Sequence, residues 1–290
     1  MTRQGPAATF AAMEQATWTR VDAGQEAPLN LMTARFVEHV FAPHAHEEFS
    51  IGACTEGVEV IRVGATPYYA GPGDIVVIEP GETHTGAAAV PEGFAYRVLY
   101  PQWTSLAESG VPHFPAPIIR DPQLATQIQH AHELITRWRD PLEAESRLSW
   151  VLTKLVRRHA VGTKDFRPVR AGDRVALATK DRLADRMLDP PGLQEIAAEL
   201  GLSRFQVLRA FRDAVGMPPY AWLSQYRVTR ARTLLEAGHR PAQAAALTGF
   251  ADQAHLTRWF RRVFGVTPGA FRNSVQDITA SGRRGLAGDT

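Results

Sequence analysis

The sequence predicts a multidomain α and β protein: an N-terminal β-barrel with two following helices, then an all-α domain of two helix-turn-helix units. Three observations carry that expectation. Residues 33–100 break into short β-branched and aromatic runs punctuated by Gly and Pro, the texture of a small barrel or sandwich. From Pro122 onward the apolar spacing becomes helical. Finally, GLSRFQVLRAFRDAVG at 201–216 is echoed by GFADQAHLTRWFRRVFG at 249–265. At 290 residues the chain suits two cores rather than one.

Residues 1 to about 30 have little periodicity and read as an arm. The strand-like stretches are TARFVEHVFAPHAHEEFSIGAC, GVEVIRVG, GDIVVIEP and FAYRVLY. Two helical stretches follow, PQLATQIQHAHELITRWRD and PLEAESRLSWVLTKLVRRHA, each opened by a Pro in the favoured first turn. Leu124, Ile128, Leu134 and Ile135 fall at helical spacing, as do Leu148, Leu152, Leu155 and Val156. The polar stretch VGTKDFRPVRAGD at 161–173 reads as a linker, which puts one domain at 1–160 and the next at 174–274. The tail from Gln276 reads as disordered.

Composition removes several classes. Apolar residues make up 44% and charged residues 21%, the balance of a soluble globular protein. No apolar run approaches the roughly 18 residues of a membrane span, and Gln4, Glu14 and Gln15 interrupt any signal-peptide core. The expectation is a cytoplasmic protein without a membrane partner. The single cysteine, Cys54, forms no intramolecular disulfide or thiolate cluster and reads as a small buried hydrophobe. The net charge of +2 conceals a basic C-terminal third, with fifteen Lys or Arg against eight Asp or Glu between Arg174 and Asn273. Most of those cations are arginines, which suit phosphates and guanine edges, so double-stranded DNA is the expected partner.

The repeat sharpens this. Gly201 aligns with Gly249, while Phe211 with Phe260, Gly216 with Gly265 and Pro219 with Pro268 share an offset of 49. Each copy predicts a short helix (193–200; 242–248), a Gly turn and a second helix (203–215; 252–264), with Ser203 and Asp252 as N-caps. One face of each second helix is apolar: Val207 and Phe211, then Leu256, Phe260 and Val263. The other carries Arg204, Phe205, Leu208, Arg209 and Arg212 in the first copy, and Gln253, His255, Thr257, Arg258, Arg261 and Arg262 in the second. Residues 219–238 between the units predict an unbroken helix roughly 27 to 30 Å long. Adjacent major grooves recur every ~34 Å on one face of DNA, so such a connector suits two recognition helices on a single site.

In LQEIAAELGLSRFQVLRAFRDAVGMPPYAWL, YRVTRARTLL and GFADQAHLTRWFRRVFGVTPGAFR the chain resembles the DNA-binding domain of the AraC/XylS family of bacterial transcriptional regulators, over about a third of its length. The resemblance implies that Phe205, Leu208 and Arg209 enter the groove in copy one, and Gln253, His255, Thr257 and Arg258 in copy two. Two departures stand out. Leu208 occupies a position where the family usually has a polar reader, and Pro241 and Ala244 replace apolar Ile positions, which predicts an underfilled first helix in copy two. The resemblance also implies RNA polymerase as a partner and a homodimer formed through helices at 123–139 and 142–160. Leu148, Leu152 and Leu155 are candidate seam residues there, with packing inside the domain as the alternative.

In the barrel, PHAHEEF puts His44, His46 and Glu48 on one face if the segment is a strand, and PGETHTG brings in His84. The segment resembles the cupin barrel, through HxH followed by an acid and through PGDIVVIEPGETH, although in cupins the acid usually falls where Ser50 or Ile51 stands here. Three readings stay open for these four residues: a divalent-metal site for iron, manganese, nickel or zinc, the lining of an effector pocket, or a structural polar network. Tyr96, Tyr100 and Trp103 are candidate aromatic walls of such a pocket. The expected function is a sequence-specific transcriptional regulator responding to a small-molecule effector in the barrel. The alternative is a metal-dependent cupin enzyme carrying a DNA-binding domain, and a ligand-free architectural DNA-binding protein is a third reading.

Overall fold

A computed structural model describes residues 14–21, 28–107, 110–137, 141–162 and 171–275. The start of the predicted arm, most of the predicted linker and the tail from Gln276 lie outside the described residues. The N-terminal strands are β1 (Gln15–Val21), β2 (Leu29–Phe36), β3 (Ser50–Gly57), β4 (Glu59–Val63), β5 (Thr66–Ala70), β6 (Asp74–Ile78), β7 (His84–Ala88), β8 (Phe94–Tyr100) and β9 (Ile118–Arg120). They form a six-stranded sheet ordered β1-β2-β8-β3-β6-β9 and a three-stranded sheet ordered β5-β4-β7. All pairings are antiparallel, so alternate residues line the space between the sheets.

Residues 15–21 are not the arm expected from sequence. QATWTRV pairs with β2 along its whole length, from Gln15 opposite Arg35 to Val21 opposite Leu29. Its one large apolar residue, Trp18, is only 1% exposed, but it packs against Phe264 and Phe271 from the other end of the chain. No local pattern announces such a contact.

The two predicted helices are α1 (Pro122–Arg137) and α2 (Pro141–His159). They cover the outer side of the large sheet. Leu124, Ile128 and Ile135 share one buried cluster with Leu148, Leu152 and Leu155 and with Ile51, Ile75, Val77 and Leu99 of the strands. The three leucines are therefore core residues of this chain: of the two readings left open for them, packing inside the domain holds and the dimer seam does not, because a side chain buried in its own domain is not free to meet a second copy.

The C-terminal helices are α3 (Ala171–Asp185), α4 (Leu193–Glu199), α5 (Arg204–Val215), α6 (Pro219–Glu236), α7 (Pro241–Leu247) and α8 (Gln253–Phe264). α3 starts within the stretch read as linker. A small core around Leu183, Ile196, Val207 and Leu223 holds the first unit. The second unit shares a cluster with the barrel: Leu256, Phe260, Phe264 and Phe271 are continuous with Trp18, Phe36, Phe41 and Tyr100. On α7, Ala244 and Ala245 are buried and Pro241 is half-buried.

Hydrogen bonds and ion pairs reinforce the seam between barrel and helical domain. Trp18 Nε1 donates to Phe264 O at 3.2 Å, Ala42 N to Arg262 O at 3.2 Å, and Gln225 Nε2 to Ala45 O at 2.5 Å. Thr83 Oγ1 donates to Val215 O at 2.7 Å. Arg232 of α6 reaches Glu48 at 2.5 Å and Glu236 at 3.1 Å, and Arg20 of β1 pairs with the same Glu236.

Candidate DNA-reading faces and effector pocket

The two recognition helices begin as their sequences dictate. Gly201 and Gly249 take φ of 66° and 77°, left-handed values that a side chain disfavours. The Ser203 hydroxyl accepts from Gln206 N at 3.3 Å while Gln206 Oε1 accepts from Ser203 N at 2.8 Å, a reciprocal capping box at the start of α5. Asp252 Oδ1 accepts from His255 N at 2.6 Å at the start of α8. Val207 and Phe211 of α5 and Leu256, Phe260, Val263 and Phe264 of α8 are buried. Arg204, Phe205, Arg209 and Arg212 are exposed on α5, with Leu208 half-buried among them. On α8, Gln253, Arg258, Arg261 and Arg262 are exposed, and His255 and Thr257 are half-buried.

Local contacts distinguish these side chains. Phe205 is 70% exposed with the Arg204 guanidinium 5.4 Å from its ring, an apolar surface suited to a thymine methyl or a sugar. The His255 ring stands edge-on to Phe250 at 5.2 Å, and Thr257 Oγ1 donates to Gln253 O at 2.8 Å. Arg262 lies over the Trp259 ring at 5.7 Å. Docking of the barrel leaves both outer faces open to solvent. Helix α6, 18 residues and so about 27 Å long, runs between the two units.

The barrel encloses a pocket lined by Met32, Phe41, His44, His46, Ser50, Glu59, Val76, His84, Tyr96, Val98, Tyr100 and, from α8, Val263, among others. It thus holds His44, His46, His84 and Tyr96 as expected, but not Glu48. The segment around HAHEE is no continuous strand: His44 makes a single bridge with His84, and the chain bends at Glu47 and Glu48. The bend breaks the one-face alternation and turns Glu48 toward Arg232. Glu48 is therefore corrected from pocket and ligand residue to interdomain ion pair. Trp103 packs beside the α1 and α2 cluster rather than on the pocket.

Three imidazoles do converge. Ring centroids are 4.3 Å apart for His44 and His84, 4.9 Å for His44 and His46, and 5.2 Å for His46 and His84. Burial holds the pKa values of His44 and His46 well below the ordinary histidine value and pushes His84 down to about 4, so all three rings are neutral at pH 7. The acid that does line the pocket is Glu59. It is 7% exposed, and burial raises its carboxyl from the ordinary range to about 8, which keeps it protonated near neutrality. Sequence reasoning missed it, although GVEVIRVG puts Glu59 in phase with the buried Ile61. Tyr96 and Tyr100 are likewise buried with raised pKa values and act as neutral hydroxyls. Cys54, at 1% exposure, has its thiol pushed up by burial to about 12, the inert small hydrophobe expected.

Comparison with known proteins agrees with this division. Residues 27–152 match the family model described as an AraC-like ligand binding domain, and residues 196–274 match a helix-turn-helix domain. An uncharacterized HTH-type transcriptional regulator, YbfI of Bacillus subtilis, is 27% identical over 74% of this chain and 81% of its own length. The arabinose operon regulatory protein of Salmonella typhimurium is 26% identical over 79% of this chain and 85% of its own. ToxT of Vibrio cholerae, in a crystal structure with an unsaturated fatty acid bound, shares the fold with a TM-score of 0.52 at 12% identity, over 95% of this chain and 99% of that one. The two domain models together account for more than two thirds of the sequence, in the order barrel then paired helix-turn-helix units, and the chain belongs to the AraC family of transcriptional regulators, with an N-terminal ligand-binding domain and a C-terminal DNA-binding domain.

Proposed function

We propose that this regulator grips one DNA site with both recognition helices and that a small molecule in the barrel pocket shifts how the two domains are docked. The observation that carries the reading is the pocket wall itself. Val263 of α8 closes a cavity otherwise made by the barrel, so an occupant touches the helix that presents Gln253, His255, Thr257, Arg258 and Arg262. A ligand moves such an equilibrium only by its differential affinity for the two arrangements; one that needs more room than the docked state leaves favours the undocked one.

The pocket chemistry narrows the effector. Among the described residues no lysine or arginine lines the cavity, and its acid and imidazoles are neutral at pH 7. A carboxylate or phosphate would be desolvated there without a counter-charge, which argues against carrying the fatty acid of the ToxT structure over to this chain. A neutral or cationic ligand fits better than an anion.

For DNA, Arg204, Phe205, Leu208, Arg209 and Arg212 of α5 and Gln253, His255, Thr257, Arg258 and Arg262 of α8 are the proposed contacts. Arg209 and Arg258 are the first to test, by titrating operator DNA with each alanine variant. A homodimer and an RNA polymerase contact follow from the family resemblance. The outer face of α2, with Trp150 43% exposed, is the part of that helix left for a second copy, and sedimentation of Trp150→Glu against wild type tests it. Among the described residues no helix is long and apolar enough to cross a membrane, and a cytoplasmic, non-catalytic role is proposed on the strength of the regulator relatives.

A further inference from the structure

We propose that His44, His46 and His84 bind one divalent first-row transition-metal ion, and that this ion governs how firmly the barrel holds the DNA-binding domain. The proposal rests on the reading of the chain as an effector-responsive regulator and names an effector class for it.

The geometry starts with the tautomers. His44 Nδ1 lies 2.7 Å from Ala42 O and His84 Nδ1 lies 3.1 Å from Glu82 O. A carbonyl oxygen only accepts, so each Nδ1 carries the proton and the lone pair of each neutral ring sits on Nε2. A backbone carbonyl fixing one nitrogen while the other faces inward is the usual support of a metal-binding histidine. The three rings offer one ligand atom each, all within 4.8 Å of one another. Nitrogens around a tetrahedral zinc stand roughly 3.4 Å apart when each bond is about 2.0–2.1 Å, so the three buried rings and the segments that carry them must draw together to close on an ion.

Charge and size point the same way. Glu48 is taken by Arg232, among the described residues no lysine or arginine lines the cavity, and the converging lone pairs call for a cation or a hydrogen-bond donor. The cavity measures about 40 Å³. A buried water needs roughly 10–15 Å³ on that measure, so the docked state has room for an ion and one or two waters but not for a drug-sized ligand. A donor set of imidazoles alone suits zinc, nickel, copper or iron and not calcium or magnesium, which take oxygen. Three protein ligands leave one position open toward the cavity, for water or a small exogenous ligand.

The coupling is built into the same two segments. Residues 42–48 carry His44 and His46, and their intervening groups hold the helical domain: Ala42 N to Arg262 O, Ala45 O to Gln225, and Glu48 to Arg232. His84 follows Thr83, whose hydroxyl donates to Val215 O at the end of α5. Drawing the three histidines together therefore moves backbone that touches α5, α6 and α8 at once.

The test uses tag-free full-length protein, stripped with chelator and titrated with zinc, and with cobalt(II) as a spectroscopic probe. The expected result is one ion per chain, with cobalt absorption typical of nitrogen ligation. Binding is lost in His46→Ala and His84→Ala and kept in His130→Ala, an exposed histidine of α1. His46→Gln replaces the alanine variant should circular dichroism find that one unfolded, and the wild-type titration stands without any variant. Zinc should also shift operator affinity in wild type and not in His84→Ala, with DNA shifting zinc affinity by the same factor. Folded wild-type protein that binds no stoichiometric ion, or binding that survives in the His46→Ala, His84→Ala double variant, overturns the site. An ion that binds without changing operator affinity overturns the coupling. Operator binding by the ion-free protein separates the two readings: if it persists while metal binding fails, only this proposal falls; if it is absent, the regulator reading falls with it.

Discussion

Arg209 and Arg258 occupy equivalent positions in the two copies, 49 residues apart, and both are exposed. If each reads a base edge or grips a phosphate, Arg209→Ala and Arg258→Ala should each cost about 1–3 kcal/mol of operator binding, measured by titration at fixed salt; unchanged affinity in both would reject the assigned faces. These residues were legible because the repeat supplied two independent copies of one pattern. The pocket was only half legible. His44, His46 and His84 were legible from their HxH spacing and the cupin resemblance, but Glu48 was misplaced by a bend that no periodicity announces, and Glu59 was not singled out. Glu59 yields a second prediction. Its carboxyl titrates near 8 when folded and near 4.3 when unfolded, so the folded chain binds the extra proton in that window. Stability therefore falls as pH rises from about 4.3 to 8. Relative to wild type, Glu59→Gln should gain stability at pH 8 over pH 5 by up to ~3.5 kcal/mol, read from denaturant unfolding at the two pH values. An equal difference at both would mean that the acid is ionised in the fold.

At the level of elements, the helices were the most legible parts because their signals are local. Apolar spacing, Pro in the first turn, Gly at the turn and Ser or Asp at the cap are all written within a few residues. Asp252→Ala removes the acceptor for His255 N and should cost about 1 kcal/mol in thermal unfolding, while Asp252→Asn keeps most of it. Equal losses in the two variants would point to charge rather than capping. Strand β1 was misread, and the partners of α2 were left open between core and dimer seam, for a common reason: what decides them is tertiary. Trp18 is the one large apolar residue of its strand, and its partners Phe264 and Phe271 lie some 250 residues away. The stripe of Leu148, Leu152 and Leu155 is the same pattern whether it covers a sheet of its own chain or a second copy, and burial against Ile51 and Leu99 decides for the sheet.

Across the whole molecule, the barrel and the helical domain share one apolar cluster, and a buried ion-pair group joins Glu48, Arg232, Glu236 and Arg20 over it. Neutralising Glu48 leaves the buried Arg232 with only Glu236, which it shares with Arg20, and a buried charge short of partners is costly. Glu48→Gln should thus loosen the docking and speed proteolysis between α2 and α3, with little effect on the cores of the separate domains; an unchanged cleavage rate would mean that the apolar cluster alone holds the seam. The central claim is that this docked molecule reads a specific DNA sequence. Its most direct test is titration of the DNA flanking the protein's own gene against a scrambled duplex of equal length, at two salt concentrations. The account predicts a preference for the flanking DNA that persists at the higher salt, while equal and steeply salt-dependent binding to both would leave only the electrostatic attraction of a basic surface for phosphate and contradict it.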